Sequence, residues 1–264
     1  MKDKKTEELV VAQETALAIP EGHLLGMDSM DASDIQLPNA RLIQPIMTSN
    51  EKYEGQRPGT IVNDVLNEVM PDTIIPLMIK DDKIMFVPQR DDDKASFKAR
   101  VKAKLGVELS DEDMRSPYIC RSRDNVHGDR FGACQRCGLC EWEGTNKPLC
   151  TKNINVMAQF GDQPIPAVLR FNATSYKHGR KFKQAVFMSR DHVFAKRYKV
   201  STTKKSEGTK VWYEVSLTPA GNLLADEKLA AYKMFMDFGP VFEAQLERVE
   251  TAAPVDVTPV TTEY

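Results

Sequence analysis

The residues best equipped for chemistry lie in one stretch, 117–150, which holds all five cysteines of the chain: Cys120, Cys134, Cys137, Cys140 and Cys150. Their spacing is C-x13-C-x2-C-x2-C-x9-C. Thiols confined in this way do not have the distribution of apolar core cysteines. A C-x2-C pair lets two thiolates converge on one tetrahedral ion, and a second pair closes the shell. The stretch is poor in aliphatic side chains and rich in Arg, Asp, Gly and Asn, so a metal would supply folding energy that burial does not. The spacing therefore predicts a structural zinc. Two other chemistries fit less of it. The run Cys134-x2-Cys137-x2-Cys140 matches half of a ferredoxin-type iron–sulfur run but lacks the x3-Cys-Pro ending. Disulfides need an oxidising compartment, to which nothing else in the chain points. Five thiols for four positions leave one spare, and His127 is a further donor in the same loop.

Binding chemistry lies further on. Residues 170–210 carry Arg170, Lys177, Arg180, Lys181, Lys183, Arg190, Lys196, Arg197, Lys199, Lys204, Lys205 and Lys210 against only Asp191 and Glu207, a net +10. Interleaved with them are Phe171, Tyr176, Phe182, Phe187, Phe194, Tyr198, Trp212 and Tyr213. Unpaired polynucleotide is held by such mixtures, cations tracking phosphates and rings stacking on bases. In a helix over 174–188, Tyr176, Phe182 and Phe187 are expected to be core. In the strand HVFAKRYKV, Phe194, Lys196 and Tyr198 share one face and Val193, Ala195, Arg197 and Lys199 the other, so an exposed mixed face is expected there. Trp212 and Tyr213 point oppositely, which makes one core and the other available.

Catalytic patterns are missing. There is no phosphate-binding glycine loop, no HExxH and no nucleophile elbow. The aspartates at 81, 82 and 91–93 read as solvated turns rather than as a nuclease metal site. The expectation is a protein that binds and does not catalyse. No apolar leader or spanning stretch is apparent, so no membrane partner is expected. The chain of 264 residues has a net charge of −2, but the charge is segregated. Residues 1–40 and 225–264 each hold eight acidic and three basic side chains around the basic middle. That pattern suits a polyanion-binding core with solvated or partner-seeking ends.

These residues need a frame. Residues 1–33 read as a flexible acidic arm. Short strands are expected at Thr73–Ile79 and Lys83–Val87 around a Lys80-Asp81-Asp82 turn, then at Asn153–Phe160, Ile165–Phe171, His192–Ser201 and Lys210–Leu217. A short helix is expected at 94–105. Pro219-Ala220-Gly221 opens a helix to about 238, with a further piece after Gly239-Pro240, so 218–249 forms a C-terminal helical segment. Residues 250–264 read as a disordered tail. The fold class is mainly β (α+β): a small antiparallel barrel over 34–217 with the cysteine loop at 117–150 inserted, one intervening helix and a C-terminal helix.

Several blocks together resemble a family of bacteriophage single-stranded DNA-binding proteins. They are Asp34-Ile-Gln-Leu-Pro-Asn-Ala-Arg-Leu-Ile-Gln, Arg57-Pro-Gly-Thr-Ile-Val-Asn, Cys120-Arg-Ser, CQRCGLCEWEGTNKPLC, Asn153-Ile-Asn-Val and Pro166-Ala-Val-Leu-Arg-Phe-Asn-Ala-Thr-Ser. The resemblance covers about 34–217. It implies an oligonucleotide-binding (OB-like) barrel with a zinc-binding cysteine loop. It selects Cys120, Cys134, Cys137 and Cys150 as ligands, with Trp142 after the C-x2-C pair, and leaves Cys140 outside. The implied function is coating single-stranded DNA without sequence preference in phage DNA replication or recombination, in the cytoplasm of the infected host. DNA contacts are then expected from Arg170, Lys177, Arg180, Lys181, Lys183, Phe194, Lys196, Arg197, Tyr198, Lys199, Trp212 and Tyr213. The acidic ends would recruit replication or recombination proteins, and copies would self-associate on DNA. The competing reading is a zinc-stabilised phage regulator that binds host RNA polymerase or another host protein.

Overall fold

A computed structural model describes residues 36–49, 51–88, 90–144 and 146–247. The expected acidic arm at 1–33 and the expected disordered tail at 250–264 lie outside the described residues. In chain order the strands are β1 (Asn39–Leu42), β2 (Ile61–Asn63), β3 (Thr73–Phe86), β4 (Tyr118–Ser122), β5 (His127–Gly128), β6 (Gly132–Ala133), β7 (Thr151–Phe160), β8 (Ala167–Phe171), β9 (Lys196–Glu207) and β10 (Lys210–Asn222). The helices are α1 (Asp91–Leu105), α2 (Cys134–Cys137), α3 (Tyr176–Ser189) and α4 (Ala225–Glu247).

One curled sheet in the order β10-β9-β3-β7-β8-β1-β2, with β4 added to β3, forms a half barrel. It is mixed rather than purely antiparallel, because β1 pairs with β8 in parallel. The central strands are buried on both faces. On one, Ile154, Val156, Leu169 and Phe171 pack with Phe182 and Val186 of α3. On the other, Met157 and Val168 pack with Leu37 and with Val241 and Phe242 of α4. This is why β7 reads as a continuous apolar run and not as an alternation.

The half barrel is closed by side chains. Past β1, the Gln44 amide donates to the Tyr213 carbonyl at 2.9 Å and accepts the Tyr213 N–H at 2.8 Å. The Val215 N–H donates to Ser175 Oγ at 3.1 Å. These bonds occupy groups on the free edge of β10 that another strand would otherwise take. A similar clasp joins the two ends of the described chain, where Gln245 of α4 exchanges two 3.0 Å hydrogen bonds with the Leu37 backbone.

Several local expectations are corrected. The expected hairpin around 80–82 is the middle of the single 14-residue strand β3. Asp82 is not a solvated turn residue: it is 1% exposed, accepting hydrogen bonds from Asn153 and Asn155 at 2.8 and 3.1 Å and pairing with Arg121 at 3.2 Å. Asp81 is ion-paired with Lys183. The aspartates 91–93 form the first turn of α1, where the helix dipole favours them, and Gly106 ends that helix at φ 67°. Pro219 and Gly221 lie in β10, which runs to Asn222, and α4 then continues unbroken through Pro240. The expected strand start at His192 is a tight 3-10 turn, Val193–Ala195, and β9 begins only at Lys196.

Candidate nucleic-acid groove and cysteine loop

Beside the seam between β1 and β10 lies a groove of about 570 Å³. Arg41 comes from β1, Arg170 from β8, Asn172 and Thr174 from the turn into α3, and Trp212 and Tyr213 from β10. Ala40, Leu42, Val168 and Val215 give it an apolar floor. Tyr213 lies across the backbone of Gly59, where a Cβ would stand 2.5 Å from the ring. Only glycine fits there, at φ 89°.

Trp212 is oriented from beneath. Its indole N–H donates to Glu214 at 3.3 Å, and the same carboxylate takes Lys177 at 2.9 Å and His178 at 3.0 Å. Burial alone would raise the Glu214 pKa, but the hydrogen bonds from His178, Lys177 and Trp212 more than offset it and hold the group down to about 2. The buried Glu214 carboxylate is thereby balanced by its own neighbours.

The groove opens onto the β9–β10 ribbon. Lys205 stands opposite Trp212 and Lys204 opposite Tyr213, so each ring has a lysine as its cross-strand partner on the same face. Lys210 lies nearer the tip, and residues 202–211 are all exposed.

The sequence-predicted contact residues divide. Arg170, Trp212 and Tyr213 all line the groove; Arg170 also donates to Asn155 at 2.9 Å, and both aromatic residues are half-buried rather than one being core, Trp212 directed to Glu214 and Tyr213 to Gly59. Lys177 is ion-paired with Glu214 and does not line the groove. Arg180 and Lys181 are exposed on α3. Lys183 pairs with Asp81, Arg197 with Glu227 and Lys199 with Asp72, and Lys196 is half-buried. Two rings are corrected. Tyr198 is 4% exposed and packs edge-on against Phe182 at 5.0 Å, so it belongs to the core. Phe194 sits in the 3-10 turn against Tyr232 and Phe235 of α4. The expected shared face with Lys196 and Tyr198 depended on a strand that does not extend that far back. Phe187, expected in the core, is 83% exposed. Sequence reasoning missed Arg41, Gln44, Asn172 and Thr174 as site residues. They come from separate segments, and only the curl of the sheet assembles them.

The cysteine loop lies between β4 and β7, packed under α1. Leu139 joins Phe97 and Val101 of α1 in a separate apolar cluster, with Phe131 and Leu149 at its margin. Arg100 donates to the Lys147 carbonyl at 2.8 Å, and Lys104 pairs with Glu143. Cys120, Cys134, Cys137 and Cys150 line one small cavity of about 10 Å³, the space of a single water-sized sphere. Cys140 is not among its lining residues. Gly128 closes the cavity beside Cys120, where a Cβ would stand 2.6 Å from the sulfur. Burial raises the Cys120 pKa. Cys140 and Cys150 interact through their thiols. The hydrogen bond from Cys150 lowers Cys140 to about 7 and raises Cys150. As the side chains stand, no three His, Cys, Asp or Glu residues among the described residues are gathered to hold a metal ion. His127 instead lies 3.3 Å from Asp124 and is exposed.

Fold and site together define an α+β protein with a curled mixed sheet and a cationic, ring-lined groove at its seam. The sequence model of the Pam3 phage gp34-like protein family matches residues 4–245. The chain belongs to that family, and is a phage protein. No curated protein and no solved structure matches it. No helix among the described residues is long and apolar enough to cross a membrane.

Proposed function

We propose that the protein binds single-stranded DNA, without catalysis and with little sequence preference, in phage DNA replication or recombination. The observation that carries this reading is the groove itself. Arg41 of β1, Arg170 of β8 and the neighbouring Trp212 and Tyr213 of β10 line it, beside a ribbon carrying Lys204, Lys205 and Lys210. Stacking on Trp212 and Tyr213 contributes about 1–3 kcal/mol per base and is indifferent to base identity. The three lysines and Arg41 give about four phosphate contacts. With about 0.7 counterion released per contact on a single strand, log K against log salt falls with a slope of about −2.8. On this reading the half barrel serves as an OB-like barrel whose last edge is closed by Gln44 and Ser175 instead of a strand. The site of action is the cytoplasm of the infected host.

The same proposal gives the cysteine loop a structural zinc held by Cys120, Cys134, Cys137 and Cys150, the four that share a cavity. The ion would require their thiols to turn inward, and it would fix the loop without touching DNA.

The test is quenching of tryptophan fluorescence by poly-dT across a salt series. Salt-sensitive quenching that disappears in Trp212→Phe but persists in Trp142→Phe supports the groove. Absence of any poly-dT response, with stable capture of host RNA polymerase, would replace this reading with the regulator.

A further inference from the structure

A second groove shares no lining residue with the one at the seam. One edge of β3 pairs with β7 from Ile74 to Ile84. The other edge pairs with β9 only at Thr73 and Ile74, and with β4 from Lys83 onward. Among the described residues no strand covers it from Ile75 to Asp82. Pro76, which has no N–H to donate, sits just past the point where the β9 ladder stops. Along this edge runs a groove of about 680 Å³, lined by Met78, Ile79, Phe194, Tyr232 and Phe235 among others. Leu229, Tyr232 and Met236 extend it over α4 as an apolar stripe, 56, 46 and 54% exposed. At 100° per residue, Lys228 and Lys233 fall on either side of that stripe. A bare strand edge beside an apolar groove is a surface built to be covered.

We propose that the N-terminal segment of this same chain, within residues 4–35, occupies this groove. Three observations select it over other occupants. The described chain begins near the groove's far end: Leu37 is fully buried and clasped to Gln245, next to Leu246, which lines the continuation of the edge with Lys80 and Arg123. The family match begins at residue 4, so the segment is part of what the family shares, whereas residues 246–264 are not. Its chemistry is complementary, with seven acidic against two basic side chains for Lys228 and Lys233, and with the apolar runs Leu9-Val10-Val11-Ala12 and Ala16-Leu17-Ala18-Ile19 for the stripe. More than thirty extended residues at about 3.3 Å each span far more than the groove requires.

The experiment compares amide hydrogen exchange in the full chain with a variant lacking residues 2–33. Removal should speed exchange at Met78–Asp82 by tenfold or more, with the β7 amides still protected as the control for folding. Leu17→Asp combined with Ile19→Asp in the full chain should do the same without shortening it. Carbodiimide coupling in a mixture of light and heavy isotope-labelled chains should join segment carboxylates to Lys228 or Lys233 within one chain. Equal exchange in the full and altered chains overturns the proposal, and so do cross-links found only between chains. Neither readout involves DNA, so the outcome is independent of the single-strand binding proposal.

Discussion

Glu214 holds the indole of Trp212 beside the seam groove, and its protonation has a measurable sign. Its folded pKa, about 2, lies below the ordinary value of 4.5. The stability it contributes is therefore fully present above pH 4.5 and is lost as the pH falls toward 2. Glu214→Gln should be less stable at neutral pH and should show a flatter urea midpoint between pH 5 and 2.5. A variant whose acid profile parallels the parent would show that Lys177 and His178 do not hold the carboxylate. The two rings on adjacent strands predict opposite defects. Trp212→Ala should weaken poly-dT binding by about 1–3 kcal/mol with little change in melting. Tyr198→Ala should cost about 3–5 kcal/mol of stability, as deletion of a core aromatic does, while the surviving folded fraction binds DNA normally. Titrations and thermal melts on the same preparations separate the two.

At the scale of elements, the ribbon and the cysteine loop each make a claim of their own. Replacing Lys204, Lys205 and Lys210 together by Gln should flatten the salt slope by about 2 while leaving stability unchanged, since the residues are exposed. Cys120→Ser or Cys150→Ser should release zinc and lower the melting temperature, while Cys140→Ser should do neither, as read by metal analysis and calorimetry. Retention of zinc by Cys120→Ser with loss by Cys140→Ser would move the ligand set toward the Cys140–Cys150 pair. Elements were legible where local chemistry decides them: β7, β8 and α3 lie close to where period and turn residues put them. β3 was misread because Lys80-Asp81-Asp82 has the composition of a turn. What keeps Asp82 in a strand is Arg121, Asn153 and Asn155, all distant in sequence. Tyr198 was misassigned for a related reason: alternation fixes which residues share a face, but not which face meets α3.

For the whole molecule, the seam is where the fold and the candidate site coincide. Gln44→Ala removes both hydrogen bonds to Tyr213 and should cost about 1–3 kcal/mol, since each contributes about 0.5–1.5. It should also loosen the groove, lowering poly-dT affinity even though Gln44 bears no charge. Unchanged affinity in a destabilised variant would separate the seam from the site. Nothing in the local sequence marks Gln44, because its partner lies 169 positions away. Segregated charge and the ring-rich basic stretch were visible from composition, but which cations remain available was not. That depends on where Asp72, Asp81, Glu214 and Glu227 come to rest.

The clasp between Leu37 and Gln245 spans 208 positions. During synthesis the first strand leaves the ribosome long before the helix that anchors it exists. β1 must also wait for β8, and Gln44 for β10. The nascent chain can pair β1 with β2 early, but Leu37 goes without its clasp until α4 has been made, so the native topology is completed only after that helix emerges.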